Sequence, residues 1–159
     1  MNELSYEDLE KRVSVANKVI THPLKMKTNN IDNETVTESA VNEVSLSRQT
    51  HQAAHLKIII DNKERLSELV CDGILVSTPI GSTAYNLSVN GPILNLNSKK
   101  ISIAPISAFR PRRWSSKLVS KKSKIIIKNL NSTKRPVSAV ADNKEVRNAK
   151  KITIRVQNK

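Results

Sequence analysis

Cys71-Asp72-Gly73-Ile74-Leu75-Val76-Ser77-Thr78-Pro79-Ile80-Gly81-Ser82-Thr83-Ala84-Tyr85-Asn86-Leu87-Ser88, with Gly91-Pro92-Ile93 just beyond, decides how this chain reads. Gly73 to Ser77 is a compact apolar strand. Thr78-Pro79-Ile80-Gly81 ends it, because proline withholds a donor and glycine permits a sharp turn. Ser82 or Thr83 is then placed to cap a short helix running through Leu87. Unpaired N–H groups at such a helix start attract phosphate or other polar ligand groups. Ser82, Thr83 and Ser88 add hydroxyls, and Tyr85 adds a ring face with a polar tip. There is no Gly-x-x-x-x-Gly-Lys, so this is not a P-loop. By chemistry alone, a capped surface turn is the commoner meaning of such a run.

Upstream of this run the spacing predicts a helix and then strands. Ser5 and Asp8 form a capping-box pattern, Leu9, Val13 and Ala16 follow at helical spacing, and Asn17 and Lys18 suit the last turn. Pro23 bars continuation. Strands are expected at Leu24–Thr28 and Ala40–Leu46, with asparagines and Asp32 supplying turn chemistry between them. His55–Ile60 and Arg65–Val70 flank a hairpin tip at Asp61-Asn62-Lys63. Downstream, Ile101–Ala104, Lys124–Lys128, Val137–Ala141 and Lys151–Val156 are β-branched and strand-like. Strands at this density, with two short helices, predict a mainly β antiparallel sandwich.

The 159 residues are the size of one ordinary domain, and 38% hydrophobic with 3% aromatic means an aliphatic core. No stretch approaches the length of a membrane span, and Met1-Asn2-Glu3-Leu4 lacks a signal-peptide pattern. The single cysteine, Cys71, makes no internal disulfide and fits a reducing compartment, so a cytoplasmic protein is expected. Cys71 reads as a small buried group, and His22, His51 and His55 lack partners at metal-ligand spacing. Charge is divided unevenly. Residues 1–80 hold nine Lys/Arg against twelve Asp/Glu, and residues 81–159 hold eighteen against two. The second half is therefore suited to something anionic. One reading is a basic nucleic-acid-binding β module using Arg110-Pro111-Arg112-Arg113 between Phe109 and Trp114. With so few aromatic residues to stack on bases, a nucleic-acid partner is not the expectation.

The run from Asp72 to Pro92 resembles the C-terminal signature of the NAD kinase family, long and nearly ungapped. Asn42-Glu43-Val44 resembles the family's Asn-Glu pair, Ile103 to Pro111 the strand and loop that follow, and Val140-Ala141-Asp142-Asn143 its late acidic turn. The resemblance spans roughly residues 1–156 in order. It implies the family's β-sandwich over residues 23–159, truncated at its C-terminus, with residues 1–22 a helix linking to or left over from a nucleotide-phosphate domain. Ile80 departs from the family's smaller or hydroxylated residue. The family's upstream Gly-Gly-Asp-Gly, whose Asp is taken as the catalytic base, has no counterpart here. All three glycines, Gly73, Gly81 and Gly91, fall inside the downstream signature.

The resemblance also implies a reaction, in which the terminal phosphoryl of ATP (or of polyphosphate in some members) moves to the 2′-hydroxyl of NAD's adenosine ribose. Asn42 and Glu43 would hold the nucleotide and its ribose, the carboxylate accepting hydroxyl protons. Adjacent strand residues face opposite ways, so the strand should end or bulge if both reach ligand. Thr83, Tyr85 and Ser88 would line the pocket, with Ile80, Ala84, Asn86, Leu87 and Asn143 beside it. Asp72 and Ser107 would reach one end of the ligand across a subunit boundary, which implies a homo-oligomer. Magnesium would travel with the ATP phosphates. No catalytic residue is expected within this chain, and alone it is expected to be inactive.

Overall fold

The computed structural model describes residues 9–157, and these form two six-stranded antiparallel sheets laid face to face. In chain order the elements are a short helix α1 (Leu9–Val15) and strands β1 (Leu24–Asn30), β2 (Thr35–Ala40), β3 (Glu43–Arg48), β4 (Ala54–Ile60), β5 (Lys63–Cys71) and β6 (Gly73–Ser77). A single turn of 3-10 helix (Gly81–Thr83) and a one-turn helix α2 (Tyr85–Ser88) follow. The chain ends in β7 (Lys100–Ile106), β8 (Lys117–Ser120), β9 (Ile125–Asn129), β10 (Val137–Ala141), β11 (Lys144–Val146) and β12 (Ala149–Val156). The first sheet has the order β2-β1-β12-β9-β4-β5 and the second β11-β10-β3-β6-β7-β8. The expected mainly β sandwich is the fold found.

Alternation builds the core. Leu24 and Met26 of β1, Leu56, Ile58 and Ile60 of β4, and Ile152 and Ile154 of β12 point inward from the first sheet. Val44 and Leu46, Ile74 and Val76, and Ile101 and Ile103 meet them from the second. Among the described residues no aromatic side chain is fully buried, in keeping with an aliphatic core. β6 is different, being buried at all five positions. Its outer side is covered by the chain that leaves it, so a half-buried alternating pattern was never available to it.

The β4–β5 hairpin turns at Asp61-Asn62, both with positive φ, and pairs Ile60 with Lys63. That is the two-residue turn whose twist suits antiparallel strands. The Asp61 carboxylate then accepts the Lys124 N–H and the Ser123 hydroxyl, each at 2.8 Å, which lowers its pKa from the ordinary value.

Three expectations need correcting, and two strands are added. Ala40–Leu46 is not one strand, because β2 ends at Ala40 and β3 begins at Glu43. Ser82 and Thr83 do not cap α2. Ser82 lies inside the 3-10 turn and donates to the Pro79 carbonyl at 2.6 Å, and Ala84 precedes α2 without any side-chain cap bond. α1 stops at Val15, before the expected last turn at Asn17 and Lys18, and has no buried residue. Its expected capping box at Ser5 and Asp8 lies outside the described residues. β8 and β11 went unpredicted since each is a short edge strand with little inward-facing apolar surface. Among the described residues no helix is long and apolar enough to cross a membrane.

Gly73 shows how closely β3 and β6 approach, since a Cβ there would sit 2.0 Å from the Leu46 carbonyl oxygen and 3.1 Å from the Ile106 methyl. Gly73→Ala should therefore destabilise the domain by about 1–3 kcal/mol through overpacking. Thr37→Ala, on an exposed strand face, should change stability by less than about 0.5 kcal/mol. Urea unfolding midpoints at unchanged slope measure both.

Candidate functional site

β3 explains how Asn42 and Glu43 are presented. Val44 and Leu46 face the core, so Glu43, Ser45 and Ser47 stand on the outer face of the second sheet. Register places Gly73, Leu75 and Ser77 of β6 directly opposite them. Asn42 lies in the two-residue link before β3, and Glu43 is the strand's first residue. The strand thus begins where the pair stands, which frees Asn42 from strand alternation.

A carboxylate far away in sequence holds this link. Asp142, with positive φ in the β10–β11 turn, accepts the N–H groups of Val41 at 2.6 Å, Asn42 at 3.0 Å and Glu43 at 3.2 Å. Its own N–H donates to the Glu43 carbonyl at 3.1 Å. From the other side, the Thr78 N–H donates to the Asn42 carbonyl at 2.9 Å, and the Thr78 hydroxyl donates to the Val41 carbonyl at 2.7 Å. Gly81 packs on the same peptide, where a Cβ would lie 2.2 Å from the Asn42 oxygen. Gly81 does not have positive φ, so the sequence-based reason for it, a sharp turn, is replaced by close approach.

Glu43 is left in an unusual state. One carboxylate oxygen, Oε2, is buried and has no hydrogen-bond partner. Burial raises its pKa above the ordinary value, and the Asp142 charge raises it further. A group arranged this way gains from a donor that arrives from outside.

At the far end of the same sheet face, Asp72 and Tyr85 line one groove with Arg48, Gln49 and Ile106. Asp72 is engaged by the Arg48 guanidinium at 2.6 Å. Ser88 and Ser107 line an adjoining depression with Arg112 and Trp114, and Ile106 belongs to both. Ser107 has positive φ. The basic run is therefore not separate from the candidate site, because Arg112 stands beside Ser88 and Ser107.

Other expected site residues are distributed differently. Thr83, Ala84, Tyr85, Leu87 and Ser88 are exposed along the crossing segment, and Asn143 is exposed beside Asp142. Asn86 is turned inward, fully buried, donating to the Ser82 carbonyl at 3.1 Å and the Pro92 carbonyl at 3.0 Å. Its side chain shapes the Gly91-Pro92 turn instead of facing solvent. Ile80 lines a different cavity, with Ile20, His22, Leu96 and Ile101. Sequence reasoning missed Asp142 and Thr78 as the residues that fix the Asn42 link, and Arg48 as the partner of Asp72. Cys71 is buried as expected, and burial, with the Asp72 charge adding to it, pushes its thiol up to about 12 despite a favourable Gly73 N–H.

Comparison with known proteins gives one consistent result. The family described as ATP-NAD kinase C-terminal domain matches residues 41–158. NAD kinase of Hyphomonas neptunium is 47% identical over 97% of this chain and 60% of that protein. NAD kinase of Caulobacter vibrioides is 49% identical over 97% of this chain and 59% of its own length. The chain thus spans about 60% of the curated relatives it matches. Yeast NADH kinase complexed with NADH superposes with a TM-score of 0.82 at 25% identity, over 96% of this chain and 46% of that one. An NAD kinase from Archaeoglobus fulgidus in complex with ATP gives 0.76 at 25% identity, over 97% and 58%.

The Asp142 clamp makes a prediction of its own. Asp142→Ala should cost about 1.5–3 kcal/mol by leaving three N–H donors without their charged acceptor. Amide exchange should accelerate at residues 41–43 before the rest of β3. Asp142→Asn removes the charge next to Glu43, so the Glu43 pKa should fall towards its ordinary value while staying above it, because burial persists. Carboxyl-carbon NMR titration of Glu43 reads this directly.

Proposed function

The chain belongs to the NAD kinase family, and on that premise we propose that it forms the dinucleotide-binding part of an NAD kinase. The reaction is transfer of the terminal phosphoryl of ATP to the 2′-hydroxyl of the adenosine ribose of NAD. The observation that carries the reading is Glu43, a partly desolvated carboxylate with an unpartnered oxygen, beside Asn42 at the start of β3 on the outer side of the second sheet. Ribose hydroxyls are the donors such a carboxylate lacks. Phosphoryl transfer asks mainly for positioning, and a link held by Asp142, Thr78 and Gly81 supplies that.

Along the same face, Thr83, Ala84, Tyr85, Leu87 and Ser88 are proposed to line the dinucleotide path, with Asn143 at the Glu43 end. Asp72 and Ser107, joined through Ile106, are proposed to receive its other end, completed by a second copy of the chain. Asn86 acts indirectly, by tying down the segment that carries Tyr85, and Ile80 borders the path from the neighbouring cavity. The proposed unit is residues 23–159, with residues 1–22 leading to the part that grips phosphate, and its setting is the cytoplasm. ATP supplies the phosphoryl group, and Mg2+ would be carried by its phosphates. Among the described residues no group of three His, Cys, Asp or Glu is arranged to hold a metal ion.

Two measurements test the reading. Calorimetric titration of NAD into the 159-residue chain should show weak binding. Tyr85→Ala should lower affinity by a factor that corresponds to about 1–3 kcal/mol, and Arg113→Ala should leave it unchanged. Hydroxyl donors favour the ionised Glu43, so affinity should rise with pH through its raised pKa and then level off. Glu43→Gln should flatten that pH dependence. A coupled assay should detect no NADP formation from this chain alone, since general-base catalysis is commonly worth about 10²–10⁴-fold. NAD binding indifferent to both Tyr85 and Glu43, or turnover equal to a full-length homologue, would overturn the proposal.

A further inference from the structure

The outer face of the first sheet sets like charges directly opposite one another. Register pairs Lys25 of β1 with Arg155 of β12, Lys151 of β12 with Lys128 of β9, and Lys128 with Lys57 of β4. Like charges opposed across strands destabilise a sheet, and neighbouring strands are only about 4.8 Å apart. Lys57 has a partner in Glu64 at 3.0 Å, on the edge strand β5. The outward-facing positions of β1, β12 and β9 carry Lys25, Lys27, Lys128, Lys151 and Arg155 and no carboxylate. Asp61, whose charge reaches Arg65 and Arg155, is already occupied by Ser123 and Lys124.

A β-bulge adds a further cation. Asn29 pairs with Lys151 and Asn30 with Ala149, which leaves Lys150 unpaired and lets two consecutive lysines be exposed. Lys128, Lys150 and Lys151 then line one shallow depression together with Asn29, Asn33 and Asn129. The lysines bring positive charge, while the Asn29 and Asn129 amides are already donating to the Thr35 hydroxyl and the Arg135 carbonyl.

We infer that this face docks the phosphodiester backbone of a double-stranded nucleic acid. Several cations on one sheet face match a polyanion that presents repeated phosphates. The described aromatic residues, Tyr85, Phe109 and Trp114, all lie off this sheet, so bases have nothing to stack on and a duplex is favoured over a single strand. Membrane insertion needs a cluster of exposed apolar side chains, whereas Leu130 is the one apolar residue lining this depression and Ile126 is only 9% accessible. Contacts from these cations go to phosphates, which carry no sequence information, so the inferred binding is independent of sequence.

The test uses the 159-residue chain and a labelled DNA duplex of about 20 base pairs, read by fluorescence anisotropy across a salt series. Between about 50 and 200 mM salt, affinity should fall by a factor on the order of several hundred, as expected for about five phosphate contacts. Lys128→Thr with Lys151→Thr should weaken binding at least about tenfold at a fixed salt concentration and lower the salt slope by about two. The melting temperature of that variant should be equal or higher at low salt, because repulsion has been removed, which separates loss of binding from loss of fold. NAD titration of the same variant should match the parent chain, so failure here is distinguishable from failure of the dinucleotide reading. Arg110→Ala with Arg113→Ala should leave duplex affinity within about threefold. Duplex binding that survives the lysine changes, or that is lost with the arginine changes instead, overturns the inference. So does capture by phosphatidylserine vesicles without capture of the duplex.

Discussion

Burial of β6 on both faces is the constraint from which the rest of the second sheet follows. One side is satisfied in the ordinary way, with Ile74 and Val76 in the core between the sheets. The other side would leave Leu75, Ser77 and the neighbouring Ser102 and Ala104 in water if the chain ran straight off the sheet. Instead, Pro79 to Pro92 turns back over them, and Asn86 ties that segment to the Ser82 and Pro92 carbonyls. Covering β6 therefore carries Thr83, Tyr85 and Ser88 onto the sheet face. It also brings Gly81 against the Asn42 peptide, where nothing larger than hydrogen fits without displacement. Packing and site construction are here one event.

This linkage explains which features were legible from residues alone. Gly73 to Ser77, ended by Pro79 and Gly81, reads as a compact apolar strand and is one, with burial on both faces added by the structure. The Asp61-Asn62 turn is legible because both residues tolerate positive φ and the flanking runs are β-branched. The Asp142 clamp was not legible. An Asp-Asn dipeptide predicts a turn, but nothing local indicates that its carboxylate collects three N–H groups about a hundred residues earlier. Ser82 misled for a related reason. Its hydroxyl looks like a cap in sequence, yet the buried Pro79 carbonyl and Leu94 N–H compete for it and win. The short edge strands β8 and β11 escaped because pairing with β7 and β10, not their own composition, makes them strands.

The two sheets put opposite electrostatic problems on their outer faces. On the second sheet the notable group is an acid, Glu43, kept partly dehydrated near the charge of Asp142. On the first, lysines oppose lysines with few acids in reach. Both arrangements cost stability in the unliganded chain, and both costs fall when a counterpart arrives: hydroxyl donors for the first, anions for the second. The faces are on opposite sides of the core, so neither ligand need displace the other.

Glu43 also shows why backbone support matters more than the carboxylate itself. A glutamate at the start of a strand ordinarily turns to water, where its pKa is unremarkable and any ligand must first displace solvent. Here the strand's first peptide is fixed on one side by Asp142 and the link before it on the other by Thr78, so the backbone that carries the carboxylate cannot shift towards water without breaking those hydrogen bonds. Desolvation is thus built in during folding, and a donor gains the interaction without paying to strip water from that oxygen. The family motif names Asn42 and Glu43, but the force that keeps them poised comes from a threonine, a glycine and an aspartate that sit elsewhere in the sequence.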